Sequence, residues 1–151
     1  MDILKTMFLS AIPIIEQKGA IPFGIYVNNL NPLTAYFVSV LGSLIPVPFV
    51  LLLFNKIFSW MKKYKIFDKF NKFVERKINK GTKKVERFKG IGLVIFIAIP
   101  LPTTGLWTGS AIAAFLKIDF KKSLICAIIG SIICGGIVTL ISIKAPAMLG
   151  Y

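Results

Sequence analysis

The sequence contains no histidine, which removes the commonest metal ligand and the usual general base of an enzyme. Acidic residues are scarce: six Asp and Glu stand against 19 Lys and Arg, for a formal net charge of +13. The two cysteines, Cys126 and Cys134, lie in apolar sequence with neither CxxC spacing nor flanking ligands, and read as small packing residues. Charge of either sign is missing from three long runs, Gly19 to Asn55, Ile91 to Leu116 and Ser123 to Ile143. An apolar run of about 18 residues or more reads as membrane-spanning. With 56% of 151 residues hydrophobic, the chain has too little polar sequence to wet the surface of a soluble domain. These scarcities predict an integral membrane protein that is not an enzyme and holds no metal or cofactor. No A-x-A-like site follows the first apolar run, so a cleaved signal peptide is not expected.

What charge there is concentrates in the middle. Thirteen of the 19 Lys and Arg lie between Lys56 and Lys89, opposed only by Asp68, Glu75 and Glu86. Between hydrophobic spans, such a block marks the cytoplasmic side and a surface for anionic lipid rather than for nucleic acid. Trp60, Tyr64, Phe67, Phe70, Val74, Ile78, Val85 and Phe88 recur there at helical spacing, with Lys on the other face. That pattern predicts a basic amphipathic linker, 56–89, lying at the lipid interface.

The two halves resemble each other. "AIP" at 11–13 recurs at 98–100, and "LGSLI" at 41–45 recurs as "IGSII" at 129–133, offsets of 87 and 88. Each half holds an apolar segment broken by proline and glycine, a polar break, and an unbroken span. The breaks are "NNLNP" at 28–32 and "KIDFKK" at 117–122. Small residues recur every four positions, at Ala35, Ser39 and Ser43 and at Ala127, Ser131 and Gly135, as on close helix–helix contacts in membranes.

Broken backbone at membrane depth must be buried in protein or line a wet cavity. Each broken segment therefore reads as a re-entrant hairpin and each unbroken one as a span. One crossing per half inverts the second half relative to the first. The expected fold is an all-α integral membrane protein, a single membrane domain over 1–151. Its first repeat is 3–58 (hairpin 3–28, span 33–55) and its second is 91–144 (hairpin 91–116, span 123–143). The linker and "KIDFKK" face the cytoplasm, and "NNLNP" and the C-terminus face outside. Ordinary spans at 3–27 and 91–116 are the competing arrangement.

Two motifs occupy the hairpins. "IEQKGAIPFG" places Glu16, Lys18, Gly19 and Pro22 in apolar surroundings, where charge is costly and marks function by default. Glu16 there is able to exchange a proton and Lys18 to hold an anion; mutual neutralisation is the structural alternative. "IPLPTTGLWTG" carries no charge, but offers Pro100, Pro102, Thr103, Thr104, Gly105 and Trp107: hydroxyls, an indole N–H and freed backbone groups. Tight helix packing is the alternative here.

The ordered pair, P-x-x-E-x-K-G-A-I-P and then P-L-P-x-T-G-x-W-x-G, resembles the small multidrug export protein family over about 8–143. That family is similar in turn to the DedA superfamily. The family motifs carry Arg where this chain has Lys18 and Gly where it has Thr103. The first exchange keeps the charge and loses a bidentate fork. The resemblance implies paired re-entrant hairpins and transport of lipids or lipid-linked phosphates, with proton coupling. It places the site at Glu16, Lys18, Thr104, Gly105 and Trp107. An exporter of small soluble or drug-like molecules and a non-transporting, lipid-organising protein are the alternatives. The expected partners are the bilayer, anionic lipid at the linker, and a second copy in a homodimer.

Overall fold

A computed structural model describes residues 1–61, 63, 69, 72–73, 75–76, 90–101 and 104–148. All regular structure among these residues is helical. The helices are α1 (Asp2–Ala11), α2 (Glu16–Tyr26), α3 (Pro32–Leu44), α4 (Val47–Met61), α5 (90–98), α6 (Leu106–Phe115) and α7 (Phe120–Met148). Helix, loop, helix and long apolar stretch therefore follow one another twice. The expected linker helix falls mostly outside the described residues, as do Pro102 and Thr103.

Local chemistry accounts for the boundaries. Pro13 withholds the amide that would continue α1, and the Ile12 N–H closes the helix on the Leu9 carbonyl at 3.3 Å. Asn31 caps α3 by accepting from the Leu33 N–H at 2.9 Å, and Pro32 supplies the first-turn residue that needs no donor. Asp119 likewise accepts from the Lys122 N–H at 3.3 Å at the start of α7. Gly19, Pro22 and Gly24 do not break the first segment but lie inside α2. Gly24 serves contact instead: a Cβ there would come within 3.0 Å of Thr6 Cγ2 and 3.2 Å of Ala35 Cβ.

The first long stretch is two helices rather than one. A turn at Ile45 and Pro46 separates α3 from α4, because Pro46 cannot donate to the Gly42 carbonyl and the Ile45 N–H takes it at 3.3 Å. Even so, Pro32–Ile57 and Phe120–Lys144 are long and apolar enough to cross a membrane. Only 28% and 39% of their most apolar windows are buried within the protein, so neither is the core helix of a soluble fold. Burial is inverted relative to a soluble bundle. Ala35, Ser39, Ser43, Ser123, Ala127 and Ser131 face inward, while Leu33, Phe37, Leu41, Phe49, Ile125, Ile129, Ile133 and Leu140 are exposed. Water would penalise so continuous an apolar exterior; hydrocarbon does not.

α1, α2 and α3 pack together, and α7 crosses α2 and α3. α3 and α7 run antiparallel: Ser43 meets Ser131, while Val40 and Tyr36 meet Gly135 further along. α4 joins the second half, where Val47, Leu93, Phe96, Ile97, Leu106, Ile112, Ala113 and Ala127 form the main apolar core. The small-residue faces, Gly135 included, are buried inside the single chain.

Candidate functional site

The loop between α1 and α2 meets the loop between α5 and α6 in the interior. Glu16 begins α2 with a left-handed backbone, φ 48°, a conformation that costs a non-glycine residue about 1 kcal/mol or more and persists only where its surroundings impose it. Its side chain is buried, and Oε1 accepts from the Trp107 N–H at 3.1 Å. Trp107 is the second residue of α6, whose N-cap, Gly105, has no side chain to offer. Glu16 therefore caps α6 from the other hairpin, placing a carboxylate at the positive end of the helix. Gly105 permits the approach: a Cβ there would lie within 2.7 Å of Glu16 Oε1.

Lys18 reaches the same loop from the next turn. Its Nζ lies 3.3 Å from Glu16 Oε2 and donates to the Leu101 carbonyl at 2.9 Å and to the Thr104 carbonyl. The Thr104 hydroxyl donates to the Ile99 carbonyl at 2.7 Å, and the Trp107 indole N–H to the Ala11 carbonyl at 3.2 Å. The chain has left the helix there, and the Leu101 carbonyl also accepts from the Thr104 N–H at 3.2 Å. The pair is neutral overall and largely removed from solvent, with side-chain exposures of 18% for Lys18 and 6% for Glu16. The two charges thus lie close enough to neutralise each other.

Two cavities meet at Lys18. One, of about 520 Å³, is lined by Glu16, Lys18, Gly19, Pro100, Thr104 and Thr108, with Pro13 to Ile15. The other, of about 360 Å³, is lined by Lys18, Pro22, Tyr26, Pro100, Val138, Ile141 and Ser142. Lys18 and Pro100 belong to both walls. The structure thus gathers Glu16, Lys18, Gly19, Pro22, Pro100, Thr104, Gly105 and Trp107 around one place.

Gln17 is the functional candidate that charge-based reasoning passes over. It is 2% exposed; its Nε2 donates to the Ser131 carbonyl at 3.1 Å and its Oε1 accepts from the Ser131 hydroxyl at 3.0 Å. Ser43 lies 3.3 Å from Ser131, hydroxyl to hydroxyl. Gln17 stands between the two charges in "EQK", and its buried amide needs partners as much as they do. Among the described residues, no three His, Cys, Asp or Glu gather as a metal site.

Inverted burial, two helical stretches long and apolar enough to cross a membrane, and an ion pair held between two interior loops define a helical membrane protein with a polar interior site. Residues 16–137 match the family described as "Putative small multi-drug export protein", and the chain belongs to that family. The match takes in the first motif from Glu16 onward and the whole of the second. No curated protein and no solved structure matches the chain.

Proposed function

We propose that the chain is a small membrane transporter whose path runs between the two hairpin tips, and that it is a DedA-like translocase of lipids or lipid-linked phosphates driven by protons. The observation that carries this reading is the Glu16–Lys18 pair, with both residues on the wall of one cavity and Lys18 shared with a second. Net charge in a low-dielectric interior is costly, so the site's occupancy is constrained by charge balance. At rest the pair sums to zero. A phosphate monoanion drawn to Lys18 adds one negative charge, and a proton on Glu16 restores neutrality. Proton and anion thus load together, with Glu16 as the coupler and Lys18 as the anion contact. The site works by binding and protonation and carries out no catalytic chemistry.

The accompanying architecture is an inverted repeat of re-entrant hairpins. The second arms, α2 and α6, have 11 and 10 residues, about 15 Å of helix, half the hydrocarbon thickness. Repeat-related glycines keep repeat-related company. Gly42 lies against Met7 and Ser10, and Gly130 against Val94 and Ile97, the same positions 87 or 88 residues on. In this arrangement the basic linker 56–89 and "KIDFKK" lie on the cytoplasmic face of the cell membrane, the linker resting on anionic lipid. Because the small-residue faces are used within the chain, a homodimer would join through the exposed apolar faces.

The family's description favours a second reading, export of small drug-like molecules, and the larger cavity is of a size for one. Reconstituted vesicles carrying a fluorescent lipid phosphate separate the two. Gradient-driven movement that is lost in Glu16→Gln, at equal insertion, is the expected result. No movement above empty vesicles leaves the drug-like exporter or a lipid-organising protein, and equal movement in both proteins removes Glu16 from the mechanism.

A further inference from the structure

Two further side chains tie the hairpins to the spans. The Tyr26 hydroxyl, at the end of α2, donates to the Ser142 carbonyl of α7. Asn55 Nδ2, in the middle of α4, donates at 2.7 Å to the Ala114 carbonyl at the end of α6. Positions 26 and 114 differ by 88, and 55 and 142 by 87, the offsets of the sequence repeat. Each bond therefore joins the end of one hairpin's second arm to the far part of the other half's span. The Ser142 carbonyl is one its helix leaves available, while the Ala114 carbonyl also accepts from the Lys117 N–H at 3.1 Å. Pro146 has no N–H to give the Ser142 carbonyl, and Ala114 lies in the last turn of its helix.

The two ties lie at opposite ends of the molecule. From the loop just after Ala114, the unbroken α7 carries the chain 22 positions from Phe120 to Ser142, about 33 Å of helix. The Tyr26 tie also borders a cavity, since Tyr26 and Ser142 line the space that extends from Lys18. Tyr26 and Asn55 are themselves exposed, so each tie is one hydrogen bond at the edge of a contact rather than part of a core.

We propose that Tyr26 and Asn55 are paired gates, one for each side of the membrane, and that the structure is an occluded state with both closed. This assignment rests on the transport reading. A path through the Glu16–Lys18 pair must open to one side at a time, and repeat-related bonds at opposite ends are what an inverted pair of halves would use. Breaking the Tyr26 bond frees α7 from α2 and opens the second cavity; breaking the Asn55 bond frees α6 from α4.

Thiol labelling tests this without measuring flux. In the intact chain with Cys126→Ser and Cys134→Ala, reporters are placed at Val138→Cys, beside the Tyr26 tie, or at Ala113→Cys, beside the Asn55 tie. An impermeant maleimide is added from either side. Tyr26→Phe is expected to speed labelling at 138 on the order of five- to tenfold, the weight of one hydrogen bond, and to leave 113 unchanged. Asn55→Ala is expected to do the reverse. A Tyr26→Cys, Ser142→Cys cross-link should suppress labelling at 138, which guards against a gate variant that merely folds badly. Uniform acceleration at both reporters, or none at either, overturns the gates. Side-selective labelling in a protein that moves no substrate would keep the gates and sink the transport reading instead.

Discussion

The two hairpins have similar form and contribute opposite chemistry. The first supplies side chains to the site, Glu16, Gln17 and Lys18. The second supplies backbone, the Trp107 N–H and the carbonyls of Leu101 and Thr104. An apolar hairpin can thus complete a charged site without a charge of its own, because broken helix ends expose groups that a continuous helix would consume. Gly105 is the clearest case: its contribution is the absence of a side chain, which lets a carboxylate from the other hairpin reach the end of α6.

The sharpest way to break this asymmetry is to remove its charges singly and together. Lys18→Met leaves a buried carboxylate with one N–H partner, and Glu16→Gln leaves a buried ammonium with only carbonyls. Each should destabilise the protein by about 3 kcal/mol, the usual cost of orphaning half of a buried pair. The double variant should cost less than the sum by about 2 kcal/mol, read by thermal or denaturant unfolding in detergent. Additive losses would mean that the two charges act independently, and the neutral-pair account would fall.

A middle-sized effect compares the helix contacts of the two halves. Gly42 and Gly130 stand 88 positions apart, and their neighbours crowd them to different depths. A Cβ at Gly42 meets the Met7 carbonyl, which is backbone, and Met7 Cγ at 2.9 Å. A Cβ at Gly130 meets Ile97 Cβ and Cγ2 at 2.7 and 2.8 Å, with the Val94 carbonyl further off at 3.1 Å. Gly42→Ala should therefore destabilise by about 3 kcal/mol and Gly130→Ala by about 1 to 2 kcal/mol, in the range of overpacked cores. Equal losses would show that α1 can shift against α3 as easily as α5 against α7.

Much of this was legible in the residues. Uncharged runs of span length, small-residue stripes and the offset of 87 to 88 pointed to helices, inward faces and paired motifs. The site was less legible, for a physical reason. Glu16 and Lys18 announce themselves as charges in apolar sequence, but nothing in "PLPTTGLW" reveals which amide or carbonyl will face them, because every residue carries the same backbone. Gln17 escapes because an uncharged amide looks inexpensive until it is buried. Glycine and proline mislead in the other direction: Gly19, Pro22 and Gly24 sit inside α2, whereas Pro46 interrupts a stretch whose length and hydropathy suggest one helix.

The smallest expected effects lie on the serines of α3, whose shared face hides different chemistry. Ser43 and Ser39 are both 0% exposed. Ser43 donates to the Val40 carbonyl at 2.9 Å and lies 3.3 Å from the Ser131 hydroxyl, beside Gln17. The Ser39 hydroxyl has no hydrogen-bond partner among the described residues. A satisfied buried hydroxyl contributes about 1 kcal/mol, whereas an unsatisfied one bears its desolvation cost with no return. Ser43→Ala should lower stability by about 1 kcal/mol, and Ser39→Ala should leave it unchanged or raise it. Unfolding of the two single variants under identical detergent conditions decides the point. If Ser39→Ala proves the more damaging, the Ser39 hydroxyl has a partner in the membrane, and α3 presents the interior with two polar anchors rather than one.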